Sequence, residues 1–291
     1  MTTDLSENVK TTQRQGWSSQ ARHWYAQIEV TQRQWGAVSD GVLDLARVTT
    51  GDRVLDLACG VGDPALAAAR RVGQAGTVIA TDLAPDMVAF TARRAAAAGL
   101  ANVETHEMDA EAIDLPAASV DAVVCRFGLM FVQDLDRVFA GVREVLVPGG
   151  RFATSIPWRP AGQAMPRLVG AILDALGLPP LPRPEPGVPG IFSLADASFV
   201  SAAMENAGLT GIRLEPYTLA QDFQSPDEWL DFLLALNLPL RLQLAGVDED
   251  RLAELRSTAT AAMAPFTEAD GHVRFTAYGY YAVAERGAGV A

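Results

Sequence analysis

The feature that most constrains the fold is an apolar stretch that runs directly into a glycine-rich turn, with the sequence VLDLACGVGDPA at residues 54–65. An almost continuous apolar run of this length is typical of a strand that is buried on both faces of a sheet. Gly60 and Gly62 have no side chain, so a ligand can approach the backbone closely at the turn. Asp63 and Pro64 predict the N-cap and the first turn of a helix. The segment therefore predicts a strand, a ligand-binding turn and a helix.

The spacing of this turn leaves more than one cofactor open. Residues 60–65 fit the dinucleotide-binding pattern, and Asp82 follows at about the 20-residue distance that the pattern requires. Charge favours another cofactor, because Asp56 and Asp63 would place negative charge beside a pyrophosphate. S-adenosylmethionine carries an ammonium and a sulfonium, has no phosphate, and has a ribose diol that a carboxylate can bind. An ordinary strand-to-helix turn with Asp56 as a local cap is the remaining alternative.

Strands and helices are predicted to alternate through the first half of the chain. Each apolar strand is followed by a helical pattern or a turn, which implies right-handed crossovers and a parallel sheet covered on both faces. The predicted strands are 78–82, 103–108, 120–125 and 151–156, and the predicted helices are 85–99 and 134–146.

Five motifs in this order resemble the class I S-adenosylmethionine-dependent methyltransferases, and most of all the ubiquinone/menaquinone-type C-methyltransferases and their small-molecule relatives (methyltransferase type 11-like). They are the turn at 56–63, Asp82, the pair Asp109-Ala110, the segment RFGLMF at 126–131 and PGG at 148–150. The resemblance spans roughly residues 50–160 strongly and the flanks weakly. It implies an α/β fold with a Rossmann-like seven-stranded, mostly parallel sheet, helices on both faces and a mainly helical cap or lid.

The resemblance also implies S-adenosyl-L-methionine as the cofactor and assigns roles to individual residues. Asp82 would bind both ribose hydroxyls, Asp109 and Ala110 would frame the adenine edge, and Arg126 would lie beside the methionine tail and the reactive methyl. The family's first glycine is Ala58 here, a departure that affects the details of the turn. The predicted cofactor-binding residues are Trp24, Asp56, Ala58, Gly60, Gly62, Asp82, Leu83, Asp109, Ala110 and Arg126.

Segments that the sheet does not need are candidates for acceptor binding. The N-terminal segment 1–45 is amphipathic and tryptophan-rich, and either closes over the cofactor, as the resemblance implies, or packs its aromatic residues onto the sheet. Segments 158–193, which is proline-rich, and 223–270 are predicted lid insertions. The Rossmann-like core would then comprise 46–157, 194–222 and 271–287. Phe127, Met130 and Trp158 are the predicted acceptor contacts.

Methyl transfer needs a general base only if the attacking atom must first lose a proton. The chain has three histidines, and His23 in the N-terminal cap is the candidate base, with a packing role as the alternative. Two cysteines, Cys59 and Cys125, are expected to be free thiols in a reducing compartment, and no metal site is predicted.

The composition of the chain limits the classes of molecule that it is expected to bind. The net charge of −12 disfavours nucleic acid, because the chain has no concentrated basic stripe, and the pairs Arg70-Arg71 and Arg93-Arg94 are expected to be solvated or paired with acids. No apolar run of membrane-spanning length occurs, and the polar N-terminus does not resemble a secretion signal, so a cytoplasmic location is expected. A monomer or homodimer that acts on a small-molecule acceptor is predicted.

The sequence thus predicts transfer of a methyl group to the O, N or C atom of a small apolar or aromatic metabolite, in a specialised biosynthetic pathway. Two alternatives stay open at this point. One is a cofactor-binding protein or cyclase that uses the same fold without methyl transfer, because fold alone does not settle function. The other is a nicotinamide-dependent oxidoreductase.

Overall fold

The computed structural model describes residues 2–158, 164–175, 177–180, 188–244 and 248–288. Its described residues include seven strands and ten α-helices. The strands are β1 (Arg53–Leu57), β2 (Thr77–Asp82), β3 (Val103–Glu107), β4 (Val120–Arg126), β5 (Leu146–Pro157), β6 (Thr210–Phe223) and β7 (Val273–Glu285). The helices are α1 (Thr2–Ala26), α2 (Ile28–Leu45), α3 (Ala65–Val72), α4 (Pro85–Ala97), α5 (Leu135–Val145), α6 (Ala164–Ala175), α7 (Ala197–Asn206), α8 (Pro226–Leu236), α9 (Leu238–Gln243) and α10 (Glu249–Met263).

The strands form one sheet in the order β3-β2-β1-β4-β5-β7-β6. Strands β1 to β5 pair in parallel, whereas β7 runs antiparallel to both β5 and β6. The predicted Rossmann-like, mostly parallel sheet is therefore confirmed. Because β1, β2 and β4 are neighbours, the turns that follow them meet at one edge of the sheet, where open parallel sheets bind ligands.

Two hydrophobic layers cover the sheet. Helices α5 and α7 pack on one face, around Phe139 and Phe152, whereas α2 and α3 pack on the other face, around Leu43 and Leu66. A third cluster joins α6, α8 and α10 around the fully buried Trp229. The third cluster contains parts of both predicted lid insertions, and their role as a lid stays a prediction.

The second half of the chain differs from the sequence predictions in its boundaries. The sequence also predicts a strand over residues 212–219, and the observed β6 extends beyond this range because it pairs with β7 along almost its whole length. Helix α9 is not predicted, although Asn237 caps it by accepting a hydrogen bond from the Leu240 N–H at 3.0 Å. Parts of the predicted proline-rich segment, residues 159–163, 176 and 181–187, lie outside the described residues.

The described residues contain neither a candidate membrane-spanning helix nor a candidate metal-binding cluster. No helix among them is long and apolar enough to cross a bilayer. No group of three or more histidine, cysteine or acidic side chains among them could hold a metal ion. Both cysteines are buried and unbonded to each other.

Candidate functional site

The glycine-rich turn after β1 is bound to the end of β2 through Asp82. The Gly60 N–H donates to Asp82 Oδ2 and the Ala84 N–H donates to Asp82 Oδ1, each at 2.9 Å. A carboxylate has about four lone-pair positions, so each oxygen of Asp82 can accept one further hydrogen bond. Burial raises the pKa of Asp82 to about 6, although backbone N–H groups that bind the carboxylate act in the opposite direction. The structure thus holds this carboxylate rigidly beside the turn.

Helix α4 holds the same turn from the other side. The Thr91 hydroxyl donates to the Gly60 carbonyl at 2.9 Å, and Arg94 donates to the Val61 carbonyl at 2.5 Å. Arg94 also pairs with Asp63 at 3.1 Å, with both side chains nearly buried. The predicted N-cap role of Asp63 is therefore wrong: Pro64 occupies the N-cap position, α3 begins at Ala65, and no side chain caps it. The helix lacks this cap because the Asp63 carboxylate turns toward α4.

The Asp63–Arg94 pair also changes the charge argument made from the sequence. The negative charge of Asp63 is compensated by Arg94 and is not free to attract a cation alone. As expected, Arg94 and Arg71 are paired with acids, the latter with Asp44 at 2.5 Å. The charges that face a ligand must be sought elsewhere around the turn.

The three small residues of the turn have positive φ angles: 53° for Ala58, 56° for Gly60 and 107° for Gly62. A Cβ added at Gly62 would lie 2.7 Å from Leu66 Cδ1, so glycine is required there by packing as well as by conformation. A Cβ at Gly60 would have no heavy atom of the described residues within 4 Å. Gly60 therefore borders open space, in keeping with a backbone that a ligand approaches.

A cavity of about 160 Å³ lies beside this turn, between α2, α3 and the end of β4. It is lined by Gln32, Gly36, Ser39, Asp40, Asp63, Ala67, Arg70 and Arg126. Arg126 donates to the Ser39 hydroxyl at 3.3 Å and lies over the rings of Trp35 and Phe127. Its Nε has no hydrogen-bond partner among the described residues. The cavity thus offers acidic groups, basic groups and a hydroxyl within a small space.

Asp56 lies on β1, directly before the turn, and it is close to the cavity. Its side chain is fully buried, and neither carboxylate oxygen has a hydrogen-bond partner among the described residues. Burial raises the pKa of Asp56 well above its ordinary value, although the nearby charge of Arg126 opposes this change. Burial likewise lowers the pKa of Arg126. Two buried titratable groups therefore lie close to the cavity with unused hydrogen-bonding capacity.

Away from the cavity, helix α1 crosses the loop that follows β3. Lys10 forms ion pairs with Asp109 and with Glu111, the latter at 3.0 Å. Asp109 also accepts a hydrogen bond from the Glu111 N–H at 2.9 Å, which orders the loop that contains Ala110. The two residues that the resemblance assigns to the adenine edge are thus placed after β3, next to Leu83 at the end of β2.

Aromatic rings from α1 and α2 meet the loop after β4. Trp17 contacts Phe131 with ring centroids 4.8 Å apart, and Trp24 contacts Trp35 at 5.9 Å. Trp35 also contacts Phe127 at 5.6 Å. The N-terminal helices therefore lie over the edge of the sheet that carries the turn, and their aromatic residues surround the space beyond Arg126.

The structure places the remaining predicted residues as follows. Met130 is buried, and its carbonyl accepts hydrogen bonds from the Gly190 N–H at 2.8 Å and the Ser193 hydroxyl at 2.7 Å. Trp158 is 39% exposed at the end of β5. His23 is half-buried, and its pKa is lowered by burial and by the charges of Arg241 and Arg22.

Several residues of this region were not found from the sequence. Gly36, Ser39 and Asp40 of α2 line the cavity, and Lys10 binds Asp109 from almost 100 residues away in the chain. A signal existed for Lys10, because it shares one helical face with Trp17 and Trp24. None existed for α2, since small and polar residues are common on any helix.

Comparisons with known proteins agree with this geometry. Residues 54–150 match a protein family described as "Methyltransferase domain". The chain is 36% identical over 121 residues to an aklanonic acid methyltransferase of Streptomyces sp. strain C5. The aligned residues cover 42% of this chain and 55% of the relative. It is 32% identical over 183 residues to a nocamycin O-methyltransferase of Saccharothrix syringae, with 60% and 65% covered. It is 37% identical over 110 residues to a ubiquinone/menaquinone C-methyltransferase of Teredinibacter turnerae, with 38% and 44% covered. The chain thus spans between 44% and 65% of the length of these relatives.

Solved structures share the fold at low sequence identity. The YcgJ protein of Bacillus subtilis is 18% identical, with a TM-score of 0.56 over 87% of this chain and 100% of that one. The [4+2]-cyclase SpnF is 21% identical, with a TM-score of 0.51 over 87% and 82%. These similarities concern the fold.

Proposed function

This chain carries a class I S-adenosylmethionine-dependent methyltransferase domain, and from that premise we propose that it methylates a small apolar or aromatic metabolite. The cofactor of this class is S-adenosylmethionine. The acceptor atom is O, N or C, and the relatives named for aklanonic acid, nocamycin and quinone methylation support a small acceptor. We place the reaction in specialised biosynthesis on the same ground.

The observation that carries the proposal is the cavity beside the turn. It combines the carboxylate of Asp40 with Arg70, Arg126 and the Ser39 hydroxyl, and its volume of about 160 Å³ suits a few heavy atoms. An α-amino acid head group carries one ammonium and one carboxylate, so it matches both signs of charge. A pyrophosphate carries negative charge alone. The cavity therefore favours the methionine part of S-adenosylmethionine over a nicotinamide dinucleotide.

The other predicted contacts fit the same cofactor. Asp82 has lone pairs available for two ribose hydroxyls, and Gly60 leaves open space for the ligand. Asp109 follows β3, the strand next to β2, which is the position that the resemblance gives for the adenine edge. We assign Arg126, Ser39 and Asp40 to the amino acid head group, because they line the cavity next to this turn and Asp63 is already paired with Arg94.

When bound, S-adenosylmethionine supplies an electrophilic methyl group on a sulfonium. Asp82 and Arg126 would hold the cofactor beside the turn so that its methyl group could pass to the acceptor, whose proton would leave to a base or to water. The protein positions the two reactants and excludes water. We assign water exclusion to the aromatic residues of α1 and α2, which cover the space beyond Arg126.

Formation of S-adenosylhomocysteine is the direct test. The protein is incubated with S-adenosylmethionine and a panel of phenols, amines and quinone-like rings, and the product is quantified by mass spectrometry. We expect acceptor-dependent S-adenosylhomocysteine. Calorimetry with S-adenosylmethionine and with NADH identifies the cofactor independently of any acceptor, and binding of NADH alone would contradict the proposal.

A cyclase is the second candidate, because the fold is shared with a [4+2]-cyclase at a TM-score of 0.51. The same cofactor-binding fold can host a reaction without methyl transfer. An isomerised product of unchanged mass, with no S-adenosylhomocysteine, would favour the cyclase.

Cofactor affinity should depend on the ionisation of Asp82. The pKa of this carboxyl is about 6, and the ionised form is the better acceptor for two hydroxyl groups. Below this pH a proton must leave before the diol binds, so affinity should fall by up to about tenfold per pH unit. Above it the affinity should be level.

Calorimetry with S-adenosylhomocysteine from pH 5 to pH 8 measures this dependence. The Asp82→Asn variant is the control, and its weaker affinity should not change below pH 6. A wild-type affinity that is constant across the range would show that Asp82 does not bind the ribose as a carboxylate.

His23 stays the candidate base. Its lowered pKa keeps the imidazole neutral at pH 7, as a proton acceptor requires. We expect the His23→Gln variant to lose about 10²-fold or more in kcat, most clearly for a hydroxyl acceptor. An unchanged kcat between pH 6 and pH 9 would remove His23 from the mechanism and leave it as a packing residue beside Arg241.

We further propose that the described parts of segments 1–45, 158–193 and 223–270 form the cap over the core. The ion pairs of Lys10 and the aromatic contacts of Trp17 support this for α1. A monomer or homodimer in the cytoplasm stays a prediction, as does the absence of a nucleic-acid partner.

A further inference from the structure

Helix α1 buries a glutamine whose side chain has no partner. Gln20 is 2% exposed, and neither its amide oxygen nor its amide nitrogen has a hydrogen-bond partner among the described residues. One turn further on, the indole N–H of Trp24 is also buried without a partner there. Buried polar groups are rarely left unpaired, because burial removes the hydrogen bonds that water would supply. Three unused groups therefore lie side by side on α1.

The helical period shows where these groups point. Each residue advances about 100° around an α-helix. Gln20 and Trp24 therefore point between the direction of Gly16 and His23 and the direction of Trp17 and Ala21. On one side, Gly16 and His23 face α9, where Leu238 and Arg241 lie.

On the other side, Ala21 packs against Val61 of the turn. Trp17 on this side contacts Phe131 of the loop after β4. Gln20 and Trp24 thus face the wedge between the cofactor turn and the helical cap.

Aromatic rings enclose this wedge. Trp35 of α2 contacts Trp24, and it also contacts Phe232 of α8 with ring centroids 5.3 Å apart. Phe127 lies on the far side of Trp35 at 5.6 Å. These rings contact each other at edges and at tilted faces, so a planar ligand can replace ring–ring contacts with its own. The wedge combines aromatic surface with one uncharged polar end.

We propose that Gln20 and Trp24 form the polar end of the acceptor site and recognise a neutral aromatic acceptor with a hydroxyl group next to a carbonyl. The carbonyl accepts from the Gln20 amide nitrogen and the Trp24 indole nitrogen, and the hydroxyl shares its hydrogen between this neighbouring carbonyl and the Gln20 amide oxygen in a three-centre hydrogen bond. Neither side chain carries a charge, which favours a neutral acceptor over an ion. This assignment rests on the proposed methyltransferase function and specifies its substrate class.

The experiment compares two ring compounds of similar size. The probes are 1-hydroxy-2-acetonaphthone, which has adjacent hydroxyl and carbonyl groups, and 2-ethylnaphthalene, which has no oxygen. Their dissociation constants are measured for the full chain with and without saturating S-adenosylhomocysteine. We expect the wild type to bind the hydroxyketone at least tenfold more tightly than the hydrocarbon.

Two variants separate recognition from stability. Gln20→Leu should abolish the tenfold preference, keep the affinity for 2-ethylnaphthalene, and raise Tm by a few degrees because an unpaired buried amide is lost. The matched control is Gln34→Leu: Gln34 is also 2% exposed, but its amide binds both main-chain groups of Asp222. Gln34→Leu should lower Tm and keep the preference. Trp24→Phe, which keeps a ring and removes the N–H, should weaken hydroxyketone binding alone.

Each result decides the assignment. Equal preference in the wild type and in Gln20→Leu, or no preference in the wild type, overturns it. A loss of S-adenosylhomocysteine affinity in Gln20→Leu assigns this residue to the cofactor and also overturns it. Failure of the wild type to bind S-adenosylhomocysteine contradicts the proposed function, whereas the probe measurements without cofactor still test the polar end of the wedge.

Discussion

The Asp82→Asn variant should bind S-adenosylmethionine about 100-fold more weakly than the wild type while the fold is kept. Hydrogen bonds to a charged group contribute about 1.5–3 kcal/mol each, and the ribose diol would make two of them. Asparagine keeps one oxygen for the Ala84 N–H and replaces the other with an amide nitrogen, which faces the Gly60 N–H. A loss of about 3 kcal/mol corresponds to about 100-fold in affinity. Calorimetry measures the affinity, and thermal unfolding measures the stability.

The control for this variant is Asp196→Asn at the start of α7. Asp196 accepts a hydrogen bond from the N–H two residues later at 3.0 Å, as Asp82 does, but it lies in a different part of the fold. Its replacement should leave cofactor affinity unchanged. If Asp82→Asn binds within threefold of the wild type, Asp82 is a capping residue and does not hold the ribose.

Replacing the two glycines of the turn by alanine should affect different properties, namely stability for Gly62 and cofactor affinity for Gly60. Gly62→Ala places a Cβ 2.7 Å from Leu66 and forces φ of 107° on an alanine, so we expect it to destabilise the protein. Overpacking and backbone strain together should cost about 3 kcal/mol. For a chain of this size that loss lowers Tm by roughly 6–12 °C. Thermal unfolding without ligand measures the effect.

Gly60→Ala should instead fold and lose the cofactor. Its φ of 56° is close to the 53° that Ala58 already adopts, and its Cβ meets no described atom within 4 Å. Strain should cost about 1 kcal/mol, but the methyl group enters the space where the ligand approaches the backbone. We expect at least about tenfold weaker binding of S-adenosylmethionine.

The matched control is Gly99→Ala. Gly99 follows α4 with φ of 67° and also has no described atom near its Cβ position, yet it lies away from the turn. Gly99→Ala should lose a similar amount of stability and bind the cofactor normally. Equal binding by Gly60→Ala and Gly99→Ala would show that the ligand does not contact the turn at Gly60.

Local patterns carried much of the information about this fold. The apolar run before Gly60, the acid at the end of β2 and the alternation of strands with helices depend on interactions between residues close in sequence. Such local interactions depend little on the rest of the fold, so a sequence pattern is enough to predict them. The ends of β6 and β7 were less predictable, because their length depends on pairing with each other across a loop that contains α8, α9 and α10.

The sequence by itself determined the class of sheet and the position of the turn, because glycine spacing and strand periodicity are local. The type of cofactor followed from the resemblance of five ordered motifs to a known family. Only the tertiary structure decided which charges face the ligand. Asp63 reads as an N-cap in the sequence but binds Arg94 on α4, and Ser39 becomes a site residue because α2 packs beside α3. The sequence likewise does not show that the Gln20 amide is buried and unpaired, because this depends on the positions of all neighbouring elements. The physical reason is that hydrogen-bond satisfaction and burial depend on distance in space, which sequence patterns do not encode.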